Sequence, residues 1–142
     1  MVFNMKAFVC TLFLFSPILT YGQLLKPTDE QVNESGASKL LFADSLTQAI
    51  GLANADIIKG TRFLLLKGGI APMVYASDAK FEEDSKIFYH ESGCTGPREQ
   101  IAIEYNRVMF KYLTQTYGKK WVKTARKDIL GLKSYKQSIK NG

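Results

Sequence analysis

"PREQIAIEYNRVMFKYLTQTY", residues 97–117, decides how the chain is built. Pro97 suits a first helical position, where its missing N–H would have no partner anyway, and Thr95 or Gly96 can cap the helix. At about 100° per residue from Ile101, Tyr105, Val108, Met109, Tyr112 and Leu113 gather on one side. Ile103, Phe110 and Tyr117 fall almost opposite, and Gln100, Glu104, Arg107, Lys111 and Thr114 share the remainder. An ordinary surface helix carries an apolar stripe of about 100°. This one is far wider, so the helix is central to a core or carries a partner's surface. Asn106 interrupts the arc about 140° from Ile101. An unpaired buried amide costs about 1–3 kcal/mol, so Asn106 either binds backbone in a neighbouring loop or faces a site.

Upstream, Lys86 to His90 alternates as a strand, with Ile87 and Tyr89 on one side and Phe88 and His90 on the other. The unbroken Phe63-Leu64-Leu65-Leu66, bounded by glycines, fits a strand covered on both faces. Met73 to Ala76 reads as another short strand, joined to it by a hairpin-like turn at Gly68-Gly69. Asp78 can cap a short acidic helix with Phe81 inward. Ser45 to Lys59 is helical, with Leu46, Ala49, Ile50, Ala53 and Ile57 on the inner face and Gly60 as the stop. Downstream, Lys119 to Asp128 reads as a final helix, with Trp121, Val122 and Ala125 inward and Lys119, Lys123, Arg126 and Lys127 outward. The expected fold is α+β: a small sheet of two or three short strands packed with three or four helices, the two C-terminal helices forming one layer.

The N-terminus reads as an export signal. Lys6 precedes an apolar run from Ala7 to Phe15, and Thr20 and Gly22 supply a cleavage site, so residues 1–22 are expected to be removed. The run is shorter than the roughly 20 apolar residues of a membrane-spanning helix, so no transmembrane segment is expected after cleavage. Residues 23–38 read as a mobile polar leader, 39–132 as one α+β domain and 133–142 as a basic tail. About 120 residues suffice for one core. Cys10 leaves with the signal, and Cys94 remains as a single thiol that cannot form an internal disulfide. The expected location is periplasmic or secreted.

Charge is unevenly placed. From Lys119 onward eight basic residues stand against Asp128 alone, whereas residues 23–118 hold ten basic and twelve acidic ones. For an exported chain this favours an envelope protein or an anionic surface component as partner and disfavours nucleic acid.

"GTRFLLLKGGIAPMVY", "ESGC", "EYN", "YLTQTYGKKW" and "RKDILGL", spread over residues 56–132, together resemble a group of short, exported, uncharacterised proteins of Bacteroidetes type. The resemblance implies a host class and no activity. Members of that group carry an acidic-aromatic pair before the Gly-Cys step, where this chain has His90-Glu91-Ser92; the resemblance thus implies that His90 is not a shared catalytic residue.

Three functional readings stand. The leading one is a non-catalytic binding or accessory domain of the envelope, acting through the broad apolar helix or through Asn106, Trp121, Lys119, Lys123, Arg126 and Lys127. The alternative is a thiol-dependent hydrolase or transferase with Cys94 as nucleophile and His90 as base, since a helix N-terminus and an imidazole both favour a thiolate. A Cys94-linked homodimer is a third. His90 and Cys94 are only two of the four ligands a structural zinc needs, and Gly68-Gly69 lacks the Lys-Ser/Thr of a phosphate loop. Neither a metal nor a cofactor is expected.

Overall fold

The computed structural model describes residues 26–141; the signal-peptide reading and the start of the leader lie outside them. Helices α1 (Asp29–Asn33) and α2 (Gly36–Lys39) lead through a 3₁₀ turn at Leu40–Phe42 into α3 (Leu46–Lys59). Strand β1 (Phe63–Leu65), α4 (Ala76–Ser85) and β2 (Phe88–His90) follow. The long helix α5 (Glu99–Tyr117) comes next, then α6 (Trp121–Thr124) and α7 (Leu132–Asn141). The architecture is α+β, with one two-stranded sheet set among helices.

The helix ends follow local chemistry. The hydroxyls of Thr28, Ser35 and Ser45 accept hydrogen bonds from the backbone N–H three residues on, capping α1, α2 and α3. Gly60, at φ 82°, closes α3 in the left-handed conformation that costs glycine least.

β1 and β2 run parallel, with Phe63 opposite Phe88 and Leu65 opposite His90. The expected hairpin after Gly68-Gly69 is therefore absent, and Met73 to Ala76 is not a strand: the chain instead crosses over through α4, as parallel pairing requires. The other edge of β1 meets α5. Leu65 donates its N–H to Asn106 Oδ1 (2.9 Å), and Asn106 Nδ2 donates to the carbonyls of Leu65 and Leu130, each at 2.9 Å. The Leu130 N–H donates to the Leu65 carbonyl, and Leu66 pairs with Ile129 in an antiparallel bridge. Asn106 thus stands in for a neighbouring strand, which is the backbone-binding role allowed by its place in the apolar arc.

The wide arc of α5 has a packing explanation. α3 lies along one side of it, while Phe110 stacks on Trp121 at 5.5 Å and meets Tyr135 of α7 at 5.0 Å on another. Ile101, Ala102, Tyr105, Met109, Phe110 and Leu113 are buried, so α5 is the core helix rather than a partner's platform.

Four readings need correction. Residues in the polar leader are built into the domain: Gly36 and Ala37 of α2 donate their N–H groups to the carboxylate of Asp56 (2.7 and 3.1 Å), which also accepts the Tyr105 hydroxyl at 2.6 Å. A Cβ on Gly36 would run into the Leu52 carbonyl, so α2 sits directly on α3. On α3 itself, Ala49, Ala53 and Asp56 face inward, while Leu46 and Ile50 are exposed. The basic tail forms α7, whose Leu132, Tyr135 and Ile139 pack on the core. The helix expected to run to Asp128 stops at Thr124, and the chain from Ala125 turns to run beside β1.

Replacing Asn106 by Leu leaves the Leu65 N–H and the Leu130 carbonyl without their partner inside the core. We expect a loss of about 2–5 kcal/mol in urea unfolding, whereas Lys111→Ala, on the exposed side of the same helix, changes stability by no more than about 0.5 kcal/mol.

Candidate functional site

Parallel pairing places the carboxyl ends of β1 and β2 at the same end of the sheet, where open α/β sheets bind ligands. The two segments leaving those ends touch. A Cβ on Gly68 would collide with the Gly93 carbonyl, so only glycine allows this approach. Gly69 donates its N–H to Glu91 Oε1 at 2.9 Å, and Cys94 Sγ lies 3.9 Å from the Gly69 carbonyl. Between them and the start of α5 is a cleft of about 260 Å³, lined by Lys67, Gly93, Cys94, Pro97 and Glu99 among others.

Cys94 is exposed in this cleft, yet His90 does not join it. The His90 ring packs edge-on against Phe63 at 5.6 Å, and no hydrogen bond connects it to Cys94 among the described residues. Burial lowers the His90 pKa from 6.5, and the Asp56 carboxylate only partly opposes that shift. The imidazole is therefore a half-buried, neutral packing group near pH 7.

A second group organises the same end of the molecule. Arg126, expected on an outward basic face, is buried. Its Nη1 donates to the Met73 carbonyl (2.6 Å) and to Asp78 Oδ2 (3.1 Å), and its Nε donates to Asp128 Oδ1 (2.9 Å). The guanidinium lies over the rings of Tyr75 and Tyr89 at 4.7 and 5.5 Å. A buried guanidinium persists only when paired in this way. The Arg126 hydrogen bond holds the Asp128 pKa below its ordinary value, and burial raises that of Tyr89, whose hydroxyl accepts the Arg126 N–H. Asp78 Oδ2 also accepts the Tyr75 N–H at 2.9 Å.

These contacts pin the segment from Gly68 to Tyr75 at both ends: Gly69 to Glu91, Met73 and Tyr75 to Arg126 and Asp78. Between the pins the side chains point into solvent. Ile70 is 99 % exposed and Val74 87 %, with Met73 also exposed. Sequence reasoning missed these residues because it placed Met73 to Ala76 in a strand. The available signal was an apolar run of only a few residues, preceded by Gly68-Gly69 and broken by Pro72, too short to bury itself.

The other candidate residues are scattered. Asn106 is consumed by β1. Trp121 is buried, stacks on Phe110 and donates Nε1–H to Thr114 Oγ1 (3.0 Å), so it is not a surface platform. Lys119, Lys123 and Lys127 are exposed, with Lys119 Nζ donating to the Ile139 carbonyl at 3.3 Å. Among the described residues no group of three or more His, Cys, Asp or Glu could hold a metal ion, and no helix is long and apolar enough to cross a membrane.

Because the His90 pKa in the fold lies below 6.5, the unfolded chain binds more protons in the window between the two values. Its contribution to stability is complete above pH 6.5, falls as pH drops through that window and then levels off. Chemical denaturation across this range should show the slope in the parent and a flatter profile in His90→Phe. The alkylation rate of Cys94 at fixed pH should stay the same in His90→Ala, because the two side chains share no bond; a fall would restore the thiol–imidazole pair. Comparison of this chain with family models, curated proteins and solved structures found no match.

Proposed function

We propose that this protein is an exported, non-catalytic binding domain of the bacterial envelope, akin to the Bacteroidetes-type group it resembles, and that its contact element is the loop Gly68–Tyr75. The observation that carries this reading is the pinned apolar tip. Exposed aliphatic side chains are common singly, but here Ile70, Met73 and Val74 occupy one short loop whose two ends are held by hydrogen bonds. Burying an Ile, Val or Met side chain contributes about 1.5–3 kcal/mol. A loop already ordered adds little entropic cost to that gain on binding.

The two surfaces first considered are weaker supports. α5 is covered by the protein's own helices, and the basic face has lost Arg126 and Trp121 to the interior. The thiol-enzyme alternative keeps an exposed Cys94 in a cleft but lacks a base bonded to it.

The test is Ile70→Ser combined with Val74→Ser in cells that produce the protein. Both positions are exposed, so the melting temperature should be nearly unchanged while co-fractionation with the envelope is lost. Retention equal to that of the parent would remove the loop as the contact element.

A further inference from the structure

The chemistry around the loop identifies the kind of surface it meets. Resting on the binding reading above, we propose that the Gly68–Tyr75 loop docks on an anionic lipid surface, with Ile70, Met73 and Val74 entering the boundary between headgroups and acyl chains.

Charge complementarity is the first support. No acidic residue occurs from Arg62 to Ser77. Three carboxylates at the base of the loop are engaged, Glu91 by the Gly69 N–H and Asp78 and Asp128 by Arg126, while Glu99 lies exposed on the cleft side, at the start of α5. The exposed charges on the backbone that clasps the loop are Lys67 and Lys127. Lys67 donates its N–H to the Asp128 carbonyl, and Arg126 holds the Met73 carbonyl, so both lysines belong to the segments that frame the apolar tip. An apolar tip with lysines at its base matches a bilayer with anionic headgroups, each lysine adding attraction near the surface.

The composition of the tip is the second support. Between Lys67 and Tyr75 no side chain carries a hydrogen-bonding group: the residues are Gly, Gly, Ile, Ala, Pro, Met and Val. A stereospecific protein pocket is normally recognised through a few placed polar groups, which this tip lacks. A fluid hydrocarbon boundary requires none. Tyr75, half exposed and stacked on Arg126 at 4.7 Å, stands at the base of the loop, the level at which an amphipathic ring favours the headgroup region. The backbone N–H groups of an irregular loop need water or headgroup oxygens, which limits entry to the boundary and excludes the hydrocarbon centre.

The experiment uses the protein as its own cell processes it, sedimented with vesicles of phosphatidylcholine mixed with phosphatidylglycerol and with vesicles of phosphatidylcholine alone. We expect binding to the mixed vesicles that weakens with added salt. Ile70→Ser plus Val74→Ser should reduce it by about tenfold or more. Lys67→Glu plus Lys127→Glu should also weaken it and remove most of the difference between the two vesicle types. Absence of binding to the mixed vesicles at low salt overturns the lipid proposal. If the Ile70/Val74 variant then still loses envelope retention in cells, the loop binds a protein or polysaccharide and the broader reading stands; if retention is also unchanged, both fall. Binding of equal strength to both vesicle types, indifferent to the lysine pair, overturns the anionic requirement.

Discussion

One carboxamide holds the sheet in place. A two-stranded sheet alone is marginal in water, and β1 has three residues. Its second edge would leave the Leu65 N–H and part of its carbonyl bonding unmet inside the core. Asn106 meets both with one planar group, and the same amide reaches on to Leu130. The central helix, the strand and the segment before α7 are thereby fixed at one point. The direction in which β1 delivers Lys67 and the glycines beyond it follows from that attachment.

A guanidinium fixes the other end of the same region. Arg126 joins the crossover loop, the cap of α4, Tyr89 of β2 and Asp128, elements that are distant in sequence. Its charge is spent on two carboxylates, so it adds nothing to the outer basic surface. What remains outside is a short aliphatic segment with lysines at its root. The interior is polar where the chain must be held and the exterior is apolar where it is free, the reverse of the usual arrangement for a surface loop.

Much of this architecture is legible in residue spacing. The α5 periodicity, Asn106 in its apolar arc and the alternation of Phe88 to His90 all point to what is found. The parallel pairing was not legible, because Gly68-Gly69 has the local signature of a turn between adjacent strands and only the tertiary partner decides which strand is adjacent. Arg126 was misplaced because helical periodicity was extended past Ala125, where no glycine or proline marks the stop. Two signals were present and undervalued: Leu132, Tyr135 and Ile139 recur at helical steps within the basic tail, and Asp56 follows Ala49 and Ala53 on one stripe of α3. A charge on an inward stripe implies a buried partner. Its partners, the N–H groups of α2, come from a segment too polar to suggest burial. The loop that carries the proposed function was hidden by its own hydrophobicity, since local composition cannot distinguish a strand that packs from a segment that is displayed.

The attachment of α2 to Asp56 has a consequence for the growing chain. The N–H groups of Gly36 and Ala37 meet a carboxylate about 20 positions later, and that carboxylate is completed by Tyr105 a further 49 positions on. Emerging from the ribosome in order, the first two helices have no template and are too short to persist alone. Their docking site on Asp56 is complete only once Tyr105 of α5 has been made, so these two helices, which precede it in the chain, are among the last of the described elements to become native.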